Sequence, residues 1–66
     1  MKITLNGEPR EIQDEQHVLA LLDAAGYGGK RVAVEVNRRI VPRSMHAEHR
    51  LREGDRVEIV HAIGGG

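Results

Sequence analysis

The sequence predicts an α+β domain in which one main helix covers one face of a mixed sheet of four to five strands. Apolar and polar residues alternate in the strand segments, and a 3.6-residue apolar period appears between the second and third of them. Turn signals separate the segments. At 66 residues, the chain has the length of one small domain near the lower limit for independent folding.

A hairpin is expected at the start of the chain. Ile3 and Leu5 alternate with polar residues, which is the pattern of a half-buried strand. The "NG" pair at 6–7 favours a tight turn, because both residue types tolerate a positive φ. A short second strand should follow around residues 10–12, and Pro9, which lacks an N–H, places it at a sheet edge.

The helix is expected within residues 13–26. Asp14 is the predicted N-cap, Glu15 suits the first turn, and Gly26 is placed to end the helix. Leu19 lies off the main apolar stripe and is expected to be partly buried. The stripe itself consists of Val18, Leu21, Leu22 and Ala25.

The third and fourth strands are expected to form a second hairpin. The segment "RVAVEVN" at 31–37 alternates as a strand, and "NRR" turns the chain into a short partner at Ile40 and Val41. Pro42 ends this partner. The segment "SMHAEH" at 44–49 is expected to form one helical turn capped by Ser44.

The last strand is expected within residues 56–63. Leu51 anchors the chain to the core, and Gly54 provides a positive φ in the turn before the strand. Val57 and Ile59 should face the helix. Glu58, Val60 and Ala62 then lie on the uncovered face of the sheet.

Composition excludes several classes of function. The chain has no Cys, which rules out disulfides, zinc–thiolate sites and a cysteine nucleophile. Its formal net charge is zero and Tyr27 is its one aromatic residue, which argues against nucleic-acid binding. No apolar run reaches membrane-spanning length and no signal peptide is visible, so the cytoplasm is the expected location and no membrane partner is predicted.

Charged and titratable residues give weaker signals. Residues 1–29 hold two basic and five acidic groups, and residues 30–66 hold eight basic and five acidic groups. His46 and His49 are spaced for a shared helical face, but no Cys accompanies them, so solvent-exposed histidines are favoured over a metal site. His61 is expected to support packing near the C-terminus. Four arginines form either a basic face or separate solubilising charges: Arg43, Arg50, Arg52 and Arg56.

Glycines occur in two groups. The stretch "GYGGK" at 26–30 follows a helix and precedes a strand, which is the reverse of a phosphate-binding loop, so a flexible connection is expected. The chain ends on "HAIGGG", whose glycines are poor helix or strand formers. The alternatives are a frayed terminus and a terminal carboxylate that is itself functional. The predicted organisation is a domain over 1–63 and a flexible glycine tail over 64–66.

A docking surface is predicted next to the tail. Val60 and Ala62 should form a small exposed apolar patch, which Ala33 joins if its strand pairs as expected. Ile63 and Gly64 continue from the patch toward the terminal glycines. The alternative is a set of ordinary surface apolar residues.

The chain resembles the ThiS-type sulfur carriers of thiamine biosynthesis, which are small ubiquitin-like β-grasp proteins. The resemblance runs through the whole chain, and its strength lies in the order of the segments. His17 stands where that family usually has Thr or Ser at the helix start. The matching segments are "NGE" at 6–8, "VLALL" at 18–22, "VAVEVN" at 32–37, "IVPRS" at 40–44, "LREGDRVEIV" at 51–60 and the terminal "GG".

The resemblance implies a carrier that is not an enzyme. In that family a ThiF-like adenylyltransferase uses ATP and Mg to activate the terminal carboxylate, here that of Gly66, as an acyl-adenylate. Sulfur from a donor such as a cysteine desulfurase then gives a thiocarboxylate, from which a ThiG-like thiazole synthase takes the sulfur. Gly65 belongs to the same diglycine motif. This chain would bind no cofactor of its own.

Other functions remain open on the sequence. The same chemistry would serve a carrier for molybdopterin or another sulfur-containing metabolite. A ubiquitin-like modifier would instead be joined to lysines through Gly66, and a plain interaction module would have an inert tail. Neighbouring genes discriminate among the carriers, since a nearby thiazole synthase favours thiamine.

Overall fold

A computed structural model describes residues 1–61 of the chain. This part contains a sheet of five strands and one α-helix, so the predicted α+β class is confirmed. A short 3₁₀ helix precedes the last strand. In chain order the elements are β1 (Lys2–Leu5), β2 (Glu8–Glu11), α1 (Val18–Ala24), β3 (Val32–Val36), β4 (Arg39–Val41), the 3₁₀ helix (Arg43–Met45) and β5 (Arg56–His61).

The C-terminal strand β5 lies in the middle of the sheet. The strand order is β2-β1-β5-β3-β4. β5 runs parallel to β1, with Leu5 opposite Val57, and antiparallel to β3. β2 pairs with β1 at one edge, as Pro9 predicted, although β2 begins at Glu8 and not near residue 10. The strand that leads to the terminal glycines is therefore held on both sides.

The first turn is tied directly to β5. Asn6 and Gly7 adopt positive φ values of 51° and 85°, as the "NG" signal predicted. The backbone N–H of Asn6 donates to the carbonyl of Val57 at 2.9 Å. The side-chain Oδ1 of Asn6 accepts a hydrogen bond from the N–H of Ile59 at 2.8 Å. One asparagine thus turns the chain and fastens β1 to β5.

We expect Asn6→Ala to lower the free energy of unfolding by about 2 kcal/mol. Alanine removes the oxygen that accepts the hydrogen bond from the N–H of Ile59. It also has no polar side chain to stabilise the positive φ at this position by a local hydrogen bond. Asn6→Asp is the matched control, because aspartate keeps an acceptor oxygen and tolerates the same backbone conformation. Urea denaturation of the three proteins measures the difference. Equal stability of the alanine and aspartate variants would contradict the assigned role of Asn6.

The predicted N-cap of α1 is wrong. The helix begins at Val18 after His17, which makes no side-chain capping bond within residues 1–61. The N–H groups of Val18 and Leu19 instead donate to the carbonyls of His49 and His46, at 3.0 and 2.9 Å. Carbonyl groups of a loop distant in sequence therefore accept the hydrogen bonds of the first helical N–H groups. A capping side chain would otherwise take this role.

The two acidic residues expected at the helix start lie before it. Asp14 accepts a bond from the N-terminal ammonium group at 3.1 Å. Glu15 has a φ of 57° in the turn that precedes His17. No acidic residue of the described chain lies in the first turn of α1. At the other end, Gly26 follows the C-cap Ala25 with a φ of 92°, so the predicted helix end is confirmed.

The core lies between α1 and the inner face of the sheet. The helix contributes Val18, Leu21 and Leu22, whereas Leu19 stays 44% exposed, as its position off the stripe predicted. Leu51 is fully buried and confirms the predicted anchor. The buried apolar cluster comprises Ile3, Val18, Leu21, Leu22, Val34, Val36, Val41, Leu51, Val57 and Ile59.

The segment between β4 and β5 differs from its prediction. Its 3₁₀ helix starts after Pro42, so Ser44 is inside the helix and is not its cap. His46 is buried, at 5% exposure, and was wrongly expected to face solvent. Its Nε2 lies 3.0 Å from the carbonyl oxygen of Val41. Because a carbonyl oxygen only accepts, Nε2 carries the proton in this bond.

Candidate functional site

The end of β5 places the start of the C-terminal segment at one end of the sheet. Five residue pairs join β5 to β3, and the last of them sets His61 opposite Val32. His61 is the last residue that the structure describes. The predicted site residues Ala62, Ile63, Gly64, Gly65 and Gly66 lie outside the described residues, so their roles stay predictions.

One aromatic contact marks the place where the described chain ends. The rings of Tyr27 and His61 have centroids 5.6 Å apart with an interplanar angle of 48°. Tyr27 itself is fixed by its N–H, which donates to the carbonyl of Leu22 at 2.8 Å. The contact agrees with the packing role expected of His61. It couples the helix end to the last described residue of β5.

The uncovered face of the sheet carries Val60 and Ala33, the two described members of the predicted apolar patch. Val60 is 55% exposed and lies directly opposite Ala33, which is also exposed. Val57 and Ile59, on the other face of β5, are buried under the helix. The predicted directions of these four residues are confirmed. We call Ala33 and Val60, with their neighbours Glu35, Glu58 and Ile40 on the same side, the outer face.

Two carboxylates oppose each other on the outer face. Glu35 of β3 pairs with Glu58 of β5, and both side chains are half-buried. Glu35 also pairs with Ile40 of β4, which is 70% exposed. Within residues 1–61 the ion pairs involve other carboxylates, those of Asp14 and Glu15. Since like charges directly opposite each other in a sheet are destabilising, this acidic pair lowers the stability of the free protein.

Sequence reasoning missed this carboxylate pair. Alternation alone placed Glu58 on the uncovered side, and the same pattern in "VAVEVN" places Glu35 there. The missing information is the register between β3 and β5, which places Glu35 directly opposite Glu58. A different register would place another residue of β5 opposite Glu35. The register also brings Ile40 into the same row.

The other sequence candidates do not form a reactive cluster. Among residues 1–61 no three His, Cys, Asp or Glu side chains come together in a group suited to a metal ion. His46 bonds the carbonyl of Val41. Arg50 and Arg52 line one groove, Arg43 lines another cavity, and Arg56 belongs to β5. Within the same residues, no helix has the length and apolar character that crossing a bilayer requires.

A mixed sheet with a central C-terminal strand and one crossing helix defines the class of ubiquitin-like β-grasp domains. The model of the ThiS family matches residues 3–66. The thiamine biosynthesis protein ThiS of Geobacter metallireducens has a crystal structure that superimposes with a TM-score of 0.87, at 30% identity and over the whole of both chains. The chain belongs to the ThiS family.

Two relatives illustrate the range of proteins that contain this domain. The sulfur carrier protein ThiS of Escherichia coli is 30% identical over 66 residues and is covered completely. A thiazole synthase of Paramagnetospirillum magneticum is 46% identical over 66 residues, which are 20% of that protein. The chain thus spans about a fifth of the length of this relative.

Proposed function

We propose that the chain is a sulfur carrier whose Gly66 carboxylate is adenylated, converted to a thiocarboxylate and used as the sulfur source for thiazole formation. The observation that carries this proposal is the ThiS family match, which extends to residue 66 and so includes the terminal glycines. The chain is a carrier and not an enzyme. Partners supply the catalytic groups, ATP and Mg.

The chemistry explains why the carrier needs an external activating enzyme. A carboxylate is a poor acylating agent, so an oxygen of Gly66 must first displace pyrophosphate from ATP to form an acyl-adenylate. The terminal sulfur of a persulfide made by a cysteine desulfurase then attacks the same carbon and expels AMP, and a thiol reductant cleaves the resulting acyl disulfide to leave the thiocarboxylate. The folded domain provides remote binding energy that holds this carbon in the active site of the partner.

The terminal glycines suit entry into a narrow active site. Three extended residues reach about 10 Å, and glycine has no Cβ to obstruct a close approach of enzyme groups. We propose that Gly65 and Gly66 form the reacting end, and that Ala62, Ile63 and Gly64 contact the partner together with Val60. The outer face beside β5 would then be the docking surface, because it lies on the strand that leads to this segment.

The proposed partners are a ThiF-like adenylyltransferase and a ThiG-like thiazole synthase. Support for the second comes from the relatives of Paramagnetospirillum magneticum and Magnetococcus marinus, which are named thiazole synthases and are 46% and 42% identical over the 66 residues. In both, the matched region is 20% of a longer protein. A domain joined to a thiazole synthase in relatives is well suited to act on it as a separate chain.

Mass spectrometry after reconstitution tests the proposed function. We expect that incubation with the adenylyltransferase, ATP, Mg and a sulfur donor replaces one oxygen of the chain by sulfur. The product should react with a thiol-alkylating reagent, and fragmentation should place the alkyl group on Gly66. A reaction without ATP is the control and should give unmodified chain.

The composition makes this experiment unambiguous. The chain has no Cys, so an alkylatable sulfur cannot be a side-chain persulfide. Oxidation of Met1 or Met45 adds one oxygen, and this changes the mass by nearly as much as replacing an oxygen by sulfur. Methionine oxidation, however, gives no thiol that could be alkylated. Unmodified chain in the complete reaction, or only adducts joined through Gly66 to lysine, would refute the sulfur-carrier proposal.

A further inference from the structure

A groove of about 550 Å³ lies beside β4 and the segment that follows it. Three arginines line it: Arg39 from β4, and Arg50 and Arg52 from the stretch before β5. Ile40 and Met45 contribute apolar surface. We call this feature the arginine groove.

The apolar part of the arginine groove is unusually exposed. Ile40 is 70% exposed and Met45 is 43% exposed, which makes them two of the large apolar side chains that the fold leaves in water. They lie on successive segments, β4 and the 3₁₀ helix, with Pro42 between them in the groove wall. An apolar side chain that entered the groove would remove both from water.

The groove carries a net positive charge, and its arginines form few ion pairs within the described residues. Asp55 is the one acidic residue among the described residues that line it. Its Oδ1 accepts a bond from the side-chain amide of Asn37 at 3.0 Å, and its Oδ2 accepts one from the backbone N–H of Arg52 at 2.8 Å. Asp55 is therefore engaged by neutral donors, and the Arg39 and Arg52 guanidinium groups form no ion pair within residues 1–61.

Arg50 forms only a weak ion pair within the described residues. Its Nη1 lies 3.7 Å from a carboxylate oxygen of Glu15, and both side chains are more than half exposed. An exposed pair of this length contributes little stability, so a competing carboxylate can displace it. The groove can thus offer guanidinium groups to more than one carboxylate of a ligand.

The neighbouring strand is open on one side. β4 lies at the edge of the sheet, and its outer side carries no strand within residues 1–61. The backbone N–H and C=O groups of an edge strand that point away from the sheet can bond an added extended segment. β4 has only three residues, Arg39–Val41, so the added segment would be short.

The β4 wall of the arginine groove is separated from β5 by β3. The groove is lined by Asn37 and Asp55, which lie next to the start of β5. At its other end the groove reaches Val41, which lies across Val34 from Ile59 of β5. A segment added to the outer side of β4 would therefore lie two strands away from β5.

We propose that the arginine groove binds a short, extended, acidic segment of a partner protein that carries an aliphatic side chain. Carboxylates of the segment pair with Arg39 and Arg52, and the aliphatic side chain packs on Ile40 and Met45. Charge complementarity selects this class of partner, because the free charges of the groove are cationic. The binding is independent of the sulfur chemistry proposed above.

A peptide titration tests the proposal on the full chain. The probe is a blocked pentapeptide of alternating Glu and Leu, added to ¹⁵N-labelled protein and followed by amide chemical shifts. We expect shift changes confined to residues 36–42, 45–52 and Asp55 that decrease with added salt. A peptide with Lys in place of Glu should give none, and one with Ser in place of Leu should bind more weakly.

Matched arginine variants locate the binding. Arg39→Glu combined with Arg52→Glu should weaken the peptide at least about tenfold, because two attractive charges become repulsive. Arg31→Glu combined with Arg56→Glu makes the same change of charge outside the groove and should weaken it less. The amide spectra of both variants show whether the fold is intact.

Each contrary result overturns the proposal. Shifts centred on Ala33, Glu35, Glu58 and Val60, or an equal loss in both double variants, would mean that the groove is not the binding site. Equal affinity for the Ser and Leu peptides would show that the aliphatic side chain does not contribute and that the groove attracts anions in general. An absence of shift changes at millimolar peptide would show that the groove has no affinity for such a segment.

Discussion

Removal of Gly66 is expected to abolish ATP–pyrophosphate exchange with the adenylyltransferase while the domain remains folded. The exchange requires a carboxylate at the position where the enzyme binds ATP, and a chain shortened by one residue places its carboxylate about 3.5 Å short of that position. A displacement of this size is enough to remove the near-attack geometry on which the rate depends. Appending one residue after Gly66 should have the same effect.

The fold provides the control for this prediction. The buried cluster that includes Ile3, Leu21 and Val57 lies within residues 1–61, so circular dichroism and the unfolding midpoint of the shortened chain should match those of the parent. Glu48→Gln, a change at an exposed position between β4 and β5, serves as a variant that should keep full exchange. Full exchange by the shortened chain would disprove the assignment of Gly66 as the activated residue.

The elements that the sequence predicted correctly are those with a local physical signal. Alternation between Val32 and Val36 can be satisfied only by a strand with one covered face, and the 3.6-residue spacing of Val18, Leu21 and Leu22 fits one side of a helix. The positive φ values of Asn6 and Gly54 follow from residue type. These features needed no knowledge of what lies nearby in space.

The errors arose where distant segments meet. The sequence predicts Asp14 as the cap because it is near the helix start along the chain, but in the folded chain the carbonyls of His46 and His49 accept from the first helical N–H groups. The sequence predicts His46 in solvent because no Cys accompanies it, whereas the structure buries it with its Nε2 bonded to the carbonyl of Val41. No pattern within one segment encodes such contacts.

The candidate site divides in the same way. The outward direction of Val60 followed from alternation, whereas the opposition of Glu35 and Glu58 depends on the register of two strands that are far apart in sequence. The arginine groove likewise combines Arg39 with Arg52 across the segment between β4 and β5. The role of Gly66 rests on resemblance and family membership, because no local pattern distinguishes a reactive carboxylate from an inert one.

Val60→Asp is expected to weaken binding to the adenylyltransferase or the thiazole synthase by about 2 kcal/mol, roughly a thirtyfold change in Kd. Val60 is 55% exposed on the outer face, opposite Ala33 and on the strand that leads to the terminal glycines. Aspartate replaces its apolar contact with a charge that must lose water in the interface. It also adds a third carboxylate beside Glu35 and Glu58.

Two further variants separate docking from charge and from folding. Leu19→Asp is the matched control, because Leu19 is an exposed apolar residue, at 44%, on the helix and away from the outer face. It should leave the affinity for both partners unchanged. Val60→Lys should weaken binding as well if apolar contact is what the partner uses, whereas retained affinity with lysine would assign the effect of Val60→Asp to its negative charge in the interface. Titration calorimetry against each partner gives the affinities, and circular dichroism verifies the fold. Unchanged affinity of folded Val60→Asp for both partners would show that the outer face is not the docking surface, and the interface would then have to lie elsewhere on the domain.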